Sequence, residues 1–203
     1  MTNDLRLKTQ DFSSILAMGS ERVVADLAVK ILEEHPESLP DLLGLCWLEK
    51  YPLSMRAARV AQLYFEKHPG EIYQSLDNIV EKILITRIDG VRRNFLKVIA
   101  EFIDPKKINE PGPLLNKCFD WLLDGSLPPG SKIHAMSVIY KLGIDEPDIL
   151  RELAATIEII MDESEISMKT CGRKMLARIG RQSAVGSRRS GRIQPYDNLM
   201  TTL

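Results

Sequence analysis

The sequence predicts an all-α fold, an α-solenoid of about five antiparallel helical hairpins, from three observations. Apolar residues recur with helical periodicity, as Val91, Phe95, Val98, Ile99 and Phe102 do on one helix face. No stretch alternates in the way a half-buried strand does. A pattern of basic, small and then bulky residues returns at intervals of 36, 40 and 37 residues. Such a period indicates stacked repeats, because a single hairpin cannot bury its apolar face alone.

Glycine, proline and capping residues divide the chain into ten predicted helices. Gly19 and Ser20 separate the first two helices, and Pro36 ends the second. Pro52 suits the first turn of the fourth helix, where its missing N–H removes no hydrogen bond. The predicted ranges are 9–18, 20–35, 39–50, 52–68, 71–86, 89–103, 113–124, 130–143, 146–161 and 165–181. Residues 1–8 are predicted to be an N-terminal extension, and residues 182–203, rich in Ser, Gly and Arg, a disordered basic tail.

Composition and charge limit the class of protein. The 203 residues are 44% apolar and 27% charged with a net charge of −1, the balance of a soluble globular protein. Three cysteines and three histidines lie far apart and form no CxxC motif, so we expect no metal site and no cofactor. The polar N-terminus and the absence of a long apolar run predict a cytoplasmic protein without a membrane span.

The repeated segments begin with MRAA (55–58), VRRN (91–94), SKIHA (131–135) and MKTCG (168–172). Each places a basic residue among small or apolar ones, and this pattern over residues 9–181 resembles the HEAT/armadillo-like superfamily. The resemblance implies a right-handed stack of hairpins whose second helices line a concave surface. The superfamily often has an aspartate shortly before the basic residue, and only Asp89 stands clearly in that place here.

Charge is divided between the two predicted layers of helices. In hairpins two to five, the first helices sum to −7 and the second helices to +9. From Lys169 to Arg192 there are eight basic residues and no acidic one. Two interpretations remain open: the basic residues solvate or pack the repeats, or they bind an acidic protein or a nucleic acid. The candidate partner-binding residues are Arg56, Arg59, Arg92, Arg93, Lys97, Lys132, His134, Lys169 and Arg173.

No phosphate-binding loop and no hydrolase or zinc-protease motif occurs, so we expect an interaction module without catalysis. The alternative is an enzyme of DNA repair, because the chain is similar in length to the HEAT-like alkylpurine DNA glycosylases. Those enzymes use Trp and Asp in a basic groove, and Trp47 and Trp121 occupy similar places here. Asp120 and Asp124 flank Trp121. The competing interpretation places both tryptophans in the core, because their windows are apolar.

Overall fold

The computed structural model describes residues 12–161 and 165–190, with side chains described as far as residue 182. This part of the chain contains α-helices and short 3-10 helices and no strand. The α-helices, named α1 to α10 in chain order, are 12–17, Arg22–Glu34, Leu39–Cys46, Leu53–Lys67, Leu76–Ile85, Asp89–Phe102, Pro111–Leu123, Pro129–Leu142, Pro147–Met161 and Ile166–Ser190. The 3-10 helices are Pro36–Ser38, Pro69–Gln74 and Pro105–Lys107.

The helices pair and stack in chain order, which confirms the predicted solenoid. Within the hairpins α3 packs on α4, α5 on α6, α7 on α8 and α9 on α10. Between hairpins, the second helices contact one another in the order α2, α4, α6, α8, α10, and α5, α7 and α9 form the outer layer. Neighbouring second helices contact each other far more extensively than neighbouring first helices do. The resemblance implies that the second helices form the inner, concave layer of the stack, and their closer packing fits that expectation.

One continuous hydrophobic core runs through the stack from Phe12 to Ile179. Its largest fully buried side chains include Phe65 of α4 and Phe95 of α6, with no exposed surface on either. Each helix contributes one apolar face to this core, and neighbouring hairpins cover that face. The helical periodicity of apolar residues in the sequence results from this two-layer packing.

In the first half of the chain, α3 and α5 depart furthest from their predicted ranges. The third helix was predicted over 39–50, but α3 ends at Cys46 because residues 47–50 form the turn into α4. The fifth was predicted over 71–86, but α5 begins at Leu76, since Pro69–Gln74 forms a 3-10 helix instead. Proline at the start of that segment has no N–H to donate, which suits a short tight helix at a junction.

The first-helix layer is less acidic within the observed helix bounds than within the predicted ranges. Glu49, Glu71, Asp124 and Glu146 lie in the connections rather than in the α-helices. Within the observed bounds, α3, α5, α7 and α9 together carry −4, whereas α4, α6 and α8 carry +5. The second helices are therefore the basic layer, but much of the acidic charge lies at the turns.

The last helix is longer than predicted, because α10 continues to Ser190 instead of ending at residue 181. The first nine residues of the predicted disordered tail, 182–190, thus belong to a helix. The remainder of that predicted tail and the predicted N-terminal extension, residues 1–8, lie outside the described residues.

Candidate functional site

The two basic residues that mark the second and third repeats point into the fold. Arg56 donates from Nη1 to the carbonyl oxygen of Leu16, 2.7 Å away, and so ties α4 to the end of α1. Arg92, only 9% exposed, donates from Nη2 to the carbonyl oxygen of Thr86 at 2.9 Å. For both arginines the structure therefore favours the packing interpretation, because their donors satisfy backbone carbonyls at the turns between helices.

Arg92 is also the centre of a polar group that joins three helices. Its Nη1 lies 3.5 Å from the Asp89 carboxylate, and its guanidinium lies 4.9 Å from the centre of the Trp121 ring. Asp89 in turn accepts a hydrogen bond of 2.6 Å from the Ser131 hydroxyl on α8. Asp89, the aspartate singled out in the sequence, therefore links neighbouring repeats, and Arg92 has little surface left for a partner.

The solvent side of α4, α6 and α8, which we call the second-helix face, brings three predicted residues together. Arg93 is exposed and forms no hydrogen bond or ion pair with any described residue. Lys97 lies one turn further along α6, 2.5 Å from the Glu66 carboxylate of α4. His134 of α8 is half-buried; its burial first, and then the charges of Lys97 and Arg93, lower its pKa to about 4. At neutral pH His134 thus contributes an uncharged imidazole to this face.

A cavity of about 180 Å³ opens beside this group, between the α1–α2 turn and helices α2, α4 and α6. Arg56, Arg59 and Arg93 line it together with Glu21. The Nε atom of Arg59 is buried and has no hydrogen-bond partner. The structure therefore places three of the predicted arginines around one concavity.

The remaining predicted residues lie further along the stack. Lys132 is close enough to the α7–α8 turn to stabilise the Asp124 carboxylate, whose pKa is lowered mainly by hydrogen bonds from Ser126. Lys169 and Arg173 lie on α10, where Lys169 is half-buried and Arg173 is exposed. The nine predicted partner-binding residues are thus spread over four hairpins, and five of them lie on α4 and α6.

The sequence alone did not identify the acidic residues that reduce the positive charge of this surface. Glu66 neutralises Lys97 from a position 31 residues earlier, and Glu21 shares the cavity with the arginines. Neither residue is paired with an opposite charge three or four residues away on its own helix, which the sequence could have indicated. Only the stacking of one hairpin on the next brings these carboxylates to the basic face.

The two tryptophans belong to the packing of the repeats. Trp121 is 5% exposed beneath Arg92, and Trp47 stacks on Phe95 with ring centres 4.8 Å apart. Asp120 lies 3.5 Å from Lys117 on its own helix, and Asp124 accepts hydrogen bonds in the following turn. This geometry corresponds to the core interpretation of both tryptophans, in which their rings cover neighbouring helices.

The described residues also bear on metal binding, membrane crossing and the state of the thiols. In residues 12–161 and 165–182, no three His, Cys, Asp or Glu side chains come together as a metal site requires. Among the described helices, none has both the length and the apolar character needed to cross a bilayer. The thiols of Cys46 and Cys118 are unpaired and buried, and burial raises the pKa of each.

Comparison with known proteins agrees with this architecture. A family model described as a HEAT repeat domain matches residues 14–179, which is most of the chain and nearly the whole stack of hairpins. No curated protein and no solved structure matches it. The match, the paired helices stacked in chain order and the repeat period identify the same architecture, and the chain belongs to the HEAT repeat family.

Proposed function

We propose that this protein is a non-catalytic interaction module that binds an acidic segment of a partner protein along the second-helix face. The observation that carries the proposal is the group formed by Arg59, Arg93 and Lys97 on the solvent side of α4 and α6. Arg93 is exposed at its centre and forms no ion pair with a described residue. An unpaired guanidinium on an inner helix layer is a suitable contact for a partner carboxylate.

The number of available charges favours an acidic protein over a nucleic acid. Arg92 is buried and donates to a backbone carbonyl, Lys97 is paired with Glu66, and His134 is neutral at pH 7. Proteins that track a phosphate backbone commonly neutralise about 6–10 phosphates. On α4 and α6 the few remaining cations match a short segment with a few carboxylates better than a continuous phosphate chain.

The architecture supports the same choice. A stack of hairpins presents an extended inner surface, on which successive repeats contact successive parts of a partner chain. We also propose a cytoplasmic location, because Cys46, Cys118 and Cys171 are all free thiols and such thiols persist in reducing compartments.

Binding of a labelled poly-glutamate peptide, followed by fluorescence anisotropy, tests the proposal. We expect saturable binding by the full chain that weakens as salt increases, since exposed charge pairs are screened. The double variant Arg59→Glu/Arg93→Glu should bind about tenfold more weakly or worse, because both charges would repel the peptide.

A matched variant controls for overall charge. Lys82→Glu/Lys117→Glu changes the net charge equally but alters α5 and α7 of the first-helix layer, so it should retain binding. Equal loss in the two double variants, or no binding of the peptide at all, would contradict the proposal. Tighter binding of a short DNA duplex, with a steep dependence on salt, would show that the partner is a nucleic acid and not a protein.

A further inference from the structure

We propose that the cavity between α2, α4 and α6 is a binding site for one oxyanion, a carboxylate or a phosphate group. This assignment rests on the proposed function, because the cavity opens on the second-helix face and would hold one acidic group of the partner. Its volume of about 180 Å³ is several times the roughly 15 Å³ that one water molecule requires. The cavity therefore has room for a small anion.

The charges around the cavity are unbalanced in favour of an anion. Arg56, Arg59 and Arg93 line it, and the only acidic residue among the described lining residues is Glu21. None of the three arginines forms an ion pair with a residue that the structure describes. Three arginines against one carboxylate leave an excess of positive charge around this small concavity, and that excess would attract an oxyanion.

Unused hydrogen-bond donors point to the same ligand. Arg56 is held in place by its bond of 2.7 Å to the Leu16 carbonyl oxygen, which leaves its other donors for a ligand. The Nε atoms of Arg56 and Arg59 are both buried without a hydrogen-bond partner. Each Nε is too enclosed to touch a ligand, but the remaining Nη donors of Arg56 and Arg59 are not, and an oxyanion in the adjoining cavity would supply their acceptors.

An unpartnered Nε is not sufficient by itself. Arg92 has one too, but this side chain lies over Trp121 and is not among the residues that line the cavity. At Arg56 and Arg59 the same feature coincides with a cavity that a third arginine also lines. The planar fork of a guanidinium matches the two oxygens of a carboxylate or phosphate, which is why the ligand class is an oxyanion and not a simple halide.

Titration of the full chain with inorganic phosphate and, separately, with acetate at constant ionic strength tests this site. We expect saturable shifts of the arginine Nε–Hε cross-peaks of Arg56 and Arg59 in nuclear magnetic resonance spectra. A stronger response to phosphate assigns a phosphorylated side chain or free phosphate as the source, and a stronger response to acetate assigns an aspartate or glutamate.

Two substitutions make the test specific. Arg59→Lys keeps the charge but removes the fork, so phosphate or acetate affinity should fall about tenfold. Arg151→Lys, the same exchange at an exposed position on α9, should leave affinity within about twofold. If Arg59→Lys does not fold, as judged by circular dichroism, then Arg93→Lys takes its place.

Glu21 gives a test in the opposite direction. Its carboxylate lines the cavity, and no side-chain hydrogen bond from Glu21 caps α2, so Glu21→Gln should be tolerated by the fold. We expect anion affinity to rise about threefold or more, because one repulsive charge has been removed. Glu158→Gln on α9, far from the cavity lining, should leave it unchanged.

Several results would overturn the assignment: no saturable shift, equal losses in Arg59→Lys and Arg151→Lys, or no gain in Glu21→Gln. These results are separable from failure of the proposed function. If poly-glutamate binds normally while neither small anion shifts the Nε signals, the cavity site is wrong and the binding face remains. If small anions bind but no acidic peptide does, the binding face is wrong and the cavity site remains.

Discussion

Arg92 and Arg93 are neighbours in the sequence and have opposite environments in α6. Arg92 is 9% exposed, bonded to the Thr86 carbonyl oxygen and packed on Trp121, whereas Arg93 is exposed and unbonded among the described residues. One helical step of about 100° turns one side chain into the stack and the other towards solvent. Two residues of identical chemistry therefore differ in role: Arg92 stabilises the fold, and Arg93 belongs to the proposed binding face.

This contrast gives a stability prediction at the residue scale. Arg92→Ala leaves the Thr86 carbonyl oxygen and the Asp89 carboxylate without this donor, and it should lower the free energy of unfolding by about 3 kcal/mol. Arg93→Ala removes an exposed side chain and should change it by less than about 0.5 kcal/mol. Urea denaturation followed by circular dichroism measures both values. Equal effects would show that Arg92 is not the structural member of the pair.

Individual side chains mark the limit of prediction from this sequence. The repeat period placed Arg56 and Arg92 correctly at the starts of second helices, where α4 and α6 carry them. It could not tell that their donors would be used by the Leu16 and Thr86 carbonyl oxygens, because these oxygens lie at the C-terminal ends of α1 and α5, whose positions depend on packing. A basic residue gives the same sequence signal whether it binds a backbone oxygen or a partner.

At the scale of the helices, close contact between α4 and α6 depends on a missing side chain. A Cβ atom on Gly90 would lie 2.4 Å from Cγ of Met55, too near for both to keep their positions. By contrast, nothing lies within 4 Å of a Cβ built on Gly44 in α3. The same substitution should therefore have opposite effects at the two glycines.

The expected outcome follows from packing and helix propensity. Gly90→Ala should lower the free energy of unfolding by about 1–3 kcal/mol through overpacking against Met55. Gly44→Ala should raise it by about 0.5–1 kcal/mol, since alanine loses less backbone entropy than glycine in a helix. Thermal and urea unfolding report both changes. In a double-mutant cycle with Met55→Ala, the cost of Gly90→Ala should shrink, and a cost that stays constant would exclude the Met55 contact as its cause.

Helix identity was predictable from the sequence, and helix ends were less so. Periodicity identified the helices because each has one face in the continuous core. The end of α3 and the start of α5 differ from the prediction because contacts with neighbouring hairpins set the turn at residues 47–50 and the 3-10 helix at Pro69–Gln74. Wherever proline lies at or next to the observed start, as in α4, α7, α8 and α9, the predicted start fell within two residues.

Over the whole molecule, polar links accompany the core at successive junctions between hairpins. Glu33 of α2 meets Lys67 of α4, Glu66 of α4 meets Lys97 of α6, and Asp89 of α6 meets Ser131 of α8. At the last junction, Arg178 of α10 lies over the Tyr140 ring of α8 (guanidinium to ring centre 4.2 Å). Because every link joins adjacent hairpins, a disturbance should spread through neighbours and weaken with distance along the stack.

Two core truncations test this nearest-neighbour behaviour. Phe95 is fully buried in the middle of the stack and touches Trp47 of the preceding hairpin, whereas Met175, 6% exposed, packs in the terminal hairpin. Phe95→Ala should cost about 3–5 kcal/mol and speed amide hydrogen exchange from α2 to α10. Met175→Ala should speed exchange in α9 and α10 while α2 and α4 keep their protection, because a terminal hairpin can open without the others. Mass spectrometry of exchange resolves these helices separately. Faster exchange in α4 matching that in α10 after Met175→Ala would mean that the five hairpins unfold as a single unit.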